Sequence, residues 1–464
     1  MTVLAGSVIA TFATTGVRGV PLSFLVLAVA LLLFTVGYVA MARYVSNAGV
    51  FYAYLAQGLG RIWGVAGALV ALVSYNAIQI SLYGLFGFTM SGLLGSGVSW
   101  PWWVWSAGAW AVVALLGVLH ISINARVLAV LLICEVGMIL LFDFGSFTHP
   151  FGGSISLTPM QPGALFVQGI GGVFAFGIAA FVGYESAPVY GEEARGHSAV
   201  ARSSFGSLAF IGVLYAVSSW ALAVAVGPDQ VAASAADSVT TGIPFSILSD
   251  HYGGVVADLA NVLLITSVFG ALLSFHNGVA RYVFALSRER VLPAALDRIG
   301  SGSGAGAPIG GSLVQSAIAL VVGGAFALSG ANPLTTLFTW LSTVAALGVM
   351  LLMFGTSLAV IGFFRRGAGG TENAWQRLIA PALGAGVLLV VLGTTVWNIK
   401  SVLGTAANSP LTWILPGIIA LAAIGGVVWG AILRRNRPEI YRTIGQGQAE
   451  PLEVLEHALA HIHV

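Results

Sequence analysis

The sequence predicts an all-α polytopic membrane protein, and three observations carry the prediction. Of the 464 residues 58% are hydrophobic and only 7% charged, whereas a soluble domain carries about a quarter charged residues. The apolar residues fall in runs long enough to cross a bilayer, which takes about 20 residues of helix. The few basic residues gather on alternate connections between those runs.

Taken in order, the candidate spans are 1–17, 22–42, 62–94, 102–119, 126–147, 166–190, 204–227, 254–281, 311–329, 334–364, 377–398 and 411–433, which makes twelve. The first, TVLAGSVIATFATTGV, is Gly/Thr-rich and only about half a bilayer long. It is expected to be N-terminally truncated, with a short re-entrant entry helix as the alternative. Sixteen of the 18 basic residues, from Arg43 and Arg61 to Arg437 and Arg442, fall after spans two, four, six, eight and ten and on the tail. Arg18 and Lys400 lie opposite, with Asp229, Asp237 and Asp250. The positive-inside rule makes the basic face cytoplasmic and places both termini there. Arginine outnumbers lysine 17 to 1, and Ala and Gly are abundant, as in a GC-rich bacterial genome. A lone cysteine, Cys134, excludes an internal disulfide framework. The chain ends in PLEVLEHALAHIHV, which puts Leu452, Leu455, Leu459 and Ile462 on one helical face. His457 and His461 there have a metal-capable i, i+4 spacing, but a solvated or partner-facing stripe is the expected reading, with no metal.

The sixth span stands apart. Gly169, Gly171, Gly172, Gly177 and Gly183 crowd GIGGVFAFGIAAFVGYESAPVYGEE, Pro188 removes a backbone donor, and Glu185 places a carboxyl at its inner end. In lipid every backbone N–H and C=O must be paired, so a broken helix persists only where it lines a cavity or is buried in protein. An acid there points to a functional site. The competing reading is a kinked span whose glycines serve helix contact. The first span is expected to break around Ala5-Gly6-Ser7 and the sixth around Phe181-Val182-Gly183-Tyr184. Breaks five spans apart mark an inverted-repeat transporter with its site at the membrane midplane. Half-helix N-termini suit a carboxylate, and unwound carbonyls suit an ammonium. A zwitterionic amino acid fits both.

AFVGYESAPVYGEEARG resembles the sixth-span signature of the amino acid–polyamine–organocation superfamily. ARYVSNAGVFYAYLAQGLGRIWG (42–64) is similar to that superfamily's loop between spans two and three, and GVARYVFALSRERVLPAAL (278–296) to its motif after span eight. The resemblance covers essentially the whole chain and does not resolve the substrate. It implies a leucine-transporter-type core of two inverted five-helix repeats, 1–147 and 148–366, followed by two extra helices in 367–434 and a cytoplasmic tail in 435–464. It implies further that Ala5, Gly6 and Ser7 offer N–H groups to a substrate carboxylate, although the superfamily's commoner form there is Gly-Ser-Gly. The carbonyls of Ala179 and Val182 would face the ammonium beside Gly183, and Phe181 would line or gate the pocket. A small Ala179, where relatives often carry a bulky aromatic, implies a different gate or a larger substrate.

Span three offers Ser74, Tyr75 and Gln79. Tyr75 and Gln79 share a helical face and either touch substrate or hydrogen-bond between helices. Glu135 lies in span five among apolar neighbours, where a charged form is costly. By resemblance it falls where some proton-coupled relatives carry a lysine against the first-span break. It is either a proton-coupling carboxyl or a tie from span five to spans one and eight. Glu185 reads as an inner-gate partner, and Glu192 and Glu193 as partners of loop arginines such as Arg281 or Arg288. Thr266, Ser267 and Ser274 supply hydroxyls for a sodium site, a weaker expectation than a proton. His276, Asn277 and Arg281 read as anchors of span eight. No nucleophile–base pair or metal cluster accompanies the carboxyls, so neither an enzyme, a cofactor nor a nucleic-acid partner is expected. The resulting expectation is a multi-pass permease of the cell membrane that moves amino acids by alternating access on a proton gradient. A polyamine or organic-cation carrier or exchanger of the same fold is the nearest alternative, and a non-transporting sensor or scaffold acting through the tail is the alternative of another class. Oligomeric state is not legible.

Overall fold

A backbone surrounded by lipid can pair its polar groups only with itself, and helices do this segment by segment. The computed structural model describes residues 1–45, 47, 49–94, 100–119, 125–186, 197–237, 242–300, 307–403 and 409–447. Among these residues there is no β-strand. Pro188, the Glu192–Glu193 pair, Arg195 and the tail helix with His457 and His461 lie outside the described residues.

The helices in chain order are α1 (Val3–Thr15), α2 (Val20–Ala42), α3 (Val50–Gly58), α4 (Arg61–Leu94), α5 (Trp102–Val118), α6 (Ala125–Thr148), α7 (Pro162–Leu165), α8 (Ile170–Phe181) and α9 (His197–Val226). There follow α10 (Val231–Asp237), α11 (Ile243–Tyr252), α12 (Gly254–Arg288), α13 (Ile309–Leu328), α14 (Pro333–Arg365), α15 (Trp375–Trp397), α16 (Ile399–Leu403), α17 (Leu411–Asn436) and α18 (Pro438–Thr443). Among the described residues nine helices are long and apolar enough to cross a membrane: α2, α4, α6, α9, α12, α13, α14, α15 and α17. Shorter apolar helices at Val3–Thr15, Trp102–Val118 and Ile170–Ser186 occupy the other three runs read from the sequence. The fold is an all-α polytopic bundle, and α4 is its axis. It packs against α3, α5, α12, α14 and α17, and 78% of its most apolar window is buried inside the protein, against 22% for the peripheral α17.

The two interrupted spans differ. In α1, Val3–Val8 is a π-helical stretch that runs straight into the α-helix Ile9–Thr15. The interruption around Ala5-Gly6-Ser7 is thus a widened turn rather than an unwound one. Leu4 to Val8 are buried, and a π turn keeps backbone groups paired while adding a residue to the turn, which costs less in apolar surroundings than opening the chain. The sixth crossing does open. α8 ends at Phe181, Val182 turns extended with ψ 127°, and Gly183 takes φ 111°.

Side-chain contacts tie the ends of the crossings together on the basic face. Arg43 lies 3.7 Å from Glu372, Arg366 donates to the Gln57 carbonyl at 3.0 Å, and the Arg61 guanidinium sits 5.8 Å over the Tyr441 ring. Opposite, Arg18 pairs with Asp229.

Candidate functional site

The site grows out of the break in the sixth crossing. The Val182 N–H still closes on the carbonyls of Ile178 (3.1 Å) and Ala179 (3.3 Å). One residue later Gly183 sits at a positive φ that side chains rarely adopt. Space is not the constraint, because the nearest atom to an added Cβ would be the Phe275 ring at 3.8 Å. The Gly183 N–H has left the helical ladder, and Oε2 of Glu185 accepts it at 2.8 Å. Oε1 of the same carboxyl accepts from the Tyr75 hydroxyl at 2.8 Å, and the Tyr38 hydroxyl donates to the Glu185 carbonyl at 2.9 Å. Ser186 returns its N–H (3.1 Å) and hydroxyl (2.6 Å) to the Gly183 carbonyl. Glu185 is only 2% exposed. Its side chain and the adjacent turn replace the partners that the opened helix no longer supplies, as a buried backbone requires.

Beside the break lies a cavity of about 250 Å³. Val182, Gly183, Glu185 and Ser186 form one wall, Tyr38 and Tyr75 a second, and Phe275 and Tyr282 of α12 a third. Val50 and Phe51 of α3 close it on the side of the basic face. A carboxyl, several hydroxyls, aromatic faces and an opened backbone suit a small solute that carries an amine.

Five residues singled out from the sequence, Tyr75, Val182, Gly183, Glu185 and Ser274, meet on this cavity. Ala5, Gly6 and Ser7 do not belong to its walls. They are buried in α1, where a Cβ on Gly6 would meet Leu85 at 3.7 Å. Ala179 lies on α8, with its carbonyl already accepting from Val182. Phe181 is 1% exposed, wedged between Phe24 (6.1 Å) and Tyr215 (5.9 Å). Gln79 is buried and donates to the Leu272 carbonyl of α12 at 3.4 Å. Ser74 bonds the Val70 carbonyl of its own helix, and His276 shares a 2.7 Å hydrogen bond with Ser312 of α13.

Glu135 lies on a different cavity, of about 200 Å³, between α1, α6, α9 and α12. Its Oε2 is 3.5 Å from the Met1 amine. Thr2 and Ser267, on the same walls, are hydrogen-bonded to each other at 3.0 Å. Sequence reasoning missed Asp143, eight residues beyond Glu135 on α6. It is 5% exposed and accepts from Ser218 at 3.0 Å, while its other oxygen has no partner among the described residues. Its one signal was an acid near the end of an apolar run. Tyr38, Phe275 and Tyr282 had none, because aromatic residues are ordinary in such runs.

No significant match to a curated protein is found. The family model described as amino acid permease matches residues 1–421, which takes in α1 to α16 and the first part of α17 with both interrupted crossings. The chain therefore belongs to the amino acid permease family, multi-pass membrane transporters of amino acids.

Proposed function

We propose that this permease is a secondary active transporter that carries amino acids across the cytoplasmic membrane by alternating access, with a proton as the coupling ion and the basic face toward the cytoplasm. The observation that carries the reading is the opened turn at Val182–Gly183 beside a cavity of about 250 Å³. That volume is below the roughly 300–1,000 Å³ of drug-sized ligand sites and suits a small solute. The C-terminal end of α8 gathers partial negative charge, so the substrate ammonium docks near Ala179 and Val182. Its carboxylate takes N–H groups from the widened turn at Ala5, Gly6 and Ser7. These three residues stand off the cavity wall here, so that half of the site is assembled in another conformation of the cycle.

Glu135 is the coupling group. It is half-buried where four helices meet around a second cavity, so a shift of α1 or α9 changes its access to water. Glu185 is engaged in holding the break open, which leaves no free acid for a polyamine among the described residues lining the primary cavity. The test is uptake into proteoliposomes across a panel of amino acids and amines under imposed proton or sodium gradients. The expected result is accumulation of at least one α-amino acid, stimulated by an inward proton gradient. Uptake of amines alone would move the function to the polyamine alternative, uptake driven only by sodium would overturn the proton, and no uptake at all would remove the transport reading.

A further inference from the structure

α3 floors the cavity, and a short piece of the C-terminal chain lies behind α3. Val50 and Phe51 face the cavity. Ala56 lies on the far side of a helix with 3.6 residues per turn, and it and the Ala53 backbone meet Gly445. A Cβ on Gly445 would stand 2.6 Å from the Ala56 Cβ and 3.4 Å from the Ala53 Cα, and its φ is +79°, so residue 445 approaches α3 as only glycine can. Ile444 beside it is buried, and the Gln57 side chain donates to the Gly445 carbonyl at 2.9 Å.

One carboxyl gathers these pieces. Glu289 caps the end of α12 and is 6% exposed. Its Oε1 accepts from Asn47 at 2.7 Å and from the Gly447 N–H at 3.2 Å. Its Oε2 accepts from the Tyr52 hydroxyl and from the Gly445 N–H, each at 2.6 Å. Burial, and then the Glu289 carboxyl beside it, pushes the Tyr52 hydroxyl far above its ordinary value, so Tyr52 remains a donor at every pH the cell meets. Arg290, the next residue, has φ 61° and is the one non-glycine with a positive φ among the described residues. Such a conformation persists where its surroundings over-determine it. Hydrogen bonds to a charged acceptor are roughly twice as strong as neutral ones. Glu289 collects four donors from the loop before α3, from α3 itself and from the chain after α18.

We propose that Glu289 is a positioning residue of the transport cycle. It clasps residues 444–447 against α3 and so holds α3 as the floor of the cavity, and the cavity opens to the cytoplasm only when this clasp releases. The proposal rests on the basic face being cytoplasmic and on no particular substrate.

The test reads accessibility and needs no substrate. In a Cys134→Ser background, Ser274→Cys places a reporter thiol on the cavity wall, and inside-out vesicles are treated with a membrane-impermeant maleimide. A chain ending at residue 443, and separately Glu289→Gln and Gln57→Ala, should label faster than the parent. For Glu289→Gln the rise should be about tenfold, the population shift that follows loss of about one hydrogen bond to a charged group, and for the truncation, which removes both backbone donors of residues 445 and 447, at least as large. A chain ending at 447 keeps the clasp and should label at the parental rate. Equal labelling of the chains ending at 443 and 447 overturns the proposal, as does the absence of a rise in any variant. Thermal unfolding of each variant guards against simple misfolding. A Glu289→Gln protein that loses stability yet labels at the parental rate reduces the clasp to structural glue, which also overturns it.

Discussion

Gly183 and Glu185 stand two residues apart and act on the backbone in opposite ways. Gly183 lets it leave the helix at φ 111°, and Glu185 satisfies the N–H that departure exposes. An alanine at 183 finds room for its methyl group but meets a backbone cost of roughly 1–2 kcal/mol. Gly183→Ala is therefore expected to pull the turn back toward helix, with the initial uptake rate in proteoliposomes falling by about tenfold for each 1.4 kcal/mol of bias. Tyr75 is tested differently. Tyr75→Phe leaves a buried carboxyl oxygen without its donor, which costs about 1–3 kcal/mol, so the unfolding midpoint of the purified protein should drop. A raised KM with an unchanged midpoint would make Tyr75 a substrate contact instead. Glycines and acids are conspicuous in an apolar run, which is why Gly183 and Glu185 were legible in the sequence. Tyr38 and Tyr282 were not, because their place on the cavity depends on which faces of α2 and α12 turn inward.

The contrast between α1 and α8 belongs to the scale of the helix. Both carry glycine within apolar sequence, yet one widens into a π turn while the other opens fully. α8 opens where Glu185, Tyr75 and Tyr38 stand ready to take up the freed groups. In α1, Ala5, Gly6 and Ser7 are packed within the bundle and the chain keeps its own hydrogen bonds. The end of α8 is held from the side by Phe181, between Phe24 of α2 and Tyr215 of α9. Phe181→Ala should therefore act on packing, with a loss of about 3–5 kcal/mol for a buried aromatic. The measurement is the unfolding midpoint against KM. A large fall in the midpoint with KM moved by less than about twofold fits packing, and the reverse pattern fits a gate.

Across the whole molecule, the two acids singled out in the spans sit on two separate cavities, Glu185 on the one beside the break and Glu135 on the one beside α1. Phe181, next to the break, packs against Tyr215, which lines the second cavity, and α12 contributes residues to both cavities, so the coupling proposed above would run through α12 and this aromatic contact. For Glu135→Gln the expected outcome is uptake that no longer responds to an imposed proton gradient, while substrate counterflow, which needs no net proton movement, persists. In the parent, uptake should rise as the outside pH falls if the coupling ion is a proton, as proposed above. Gradient dependence fully retained in the variant would count against Glu135. The pair Arg18–Asp229 joins loops on the face opposite the basic one, but both side chains are well exposed, so Arg18→Ala should change stability by less than about 1 kcal/mol.

Composition and local order were enough to establish the class of protein, the twelve apolar runs, the crowding of arginine on one set of connections and the opening of the sixth crossing, while the permease family was legible only through the resemblance of three motifs. The reason is that lipid imposes its demand segment by segment: each stretch must be apolar, long enough and internally hydrogen-bonded, and these are properties of neighbouring residues. The form of the first interruption, the position of Phe181 between two rings, the aromatic walls of the cavity and the meeting of Asn47, Tyr52, Glu289, Gly445 and Gly447 were settled only by packing. Each depends on helices far apart in the chain approaching at particular faces, and a one-dimensional pattern of hydropathy carries no record of which face meets which.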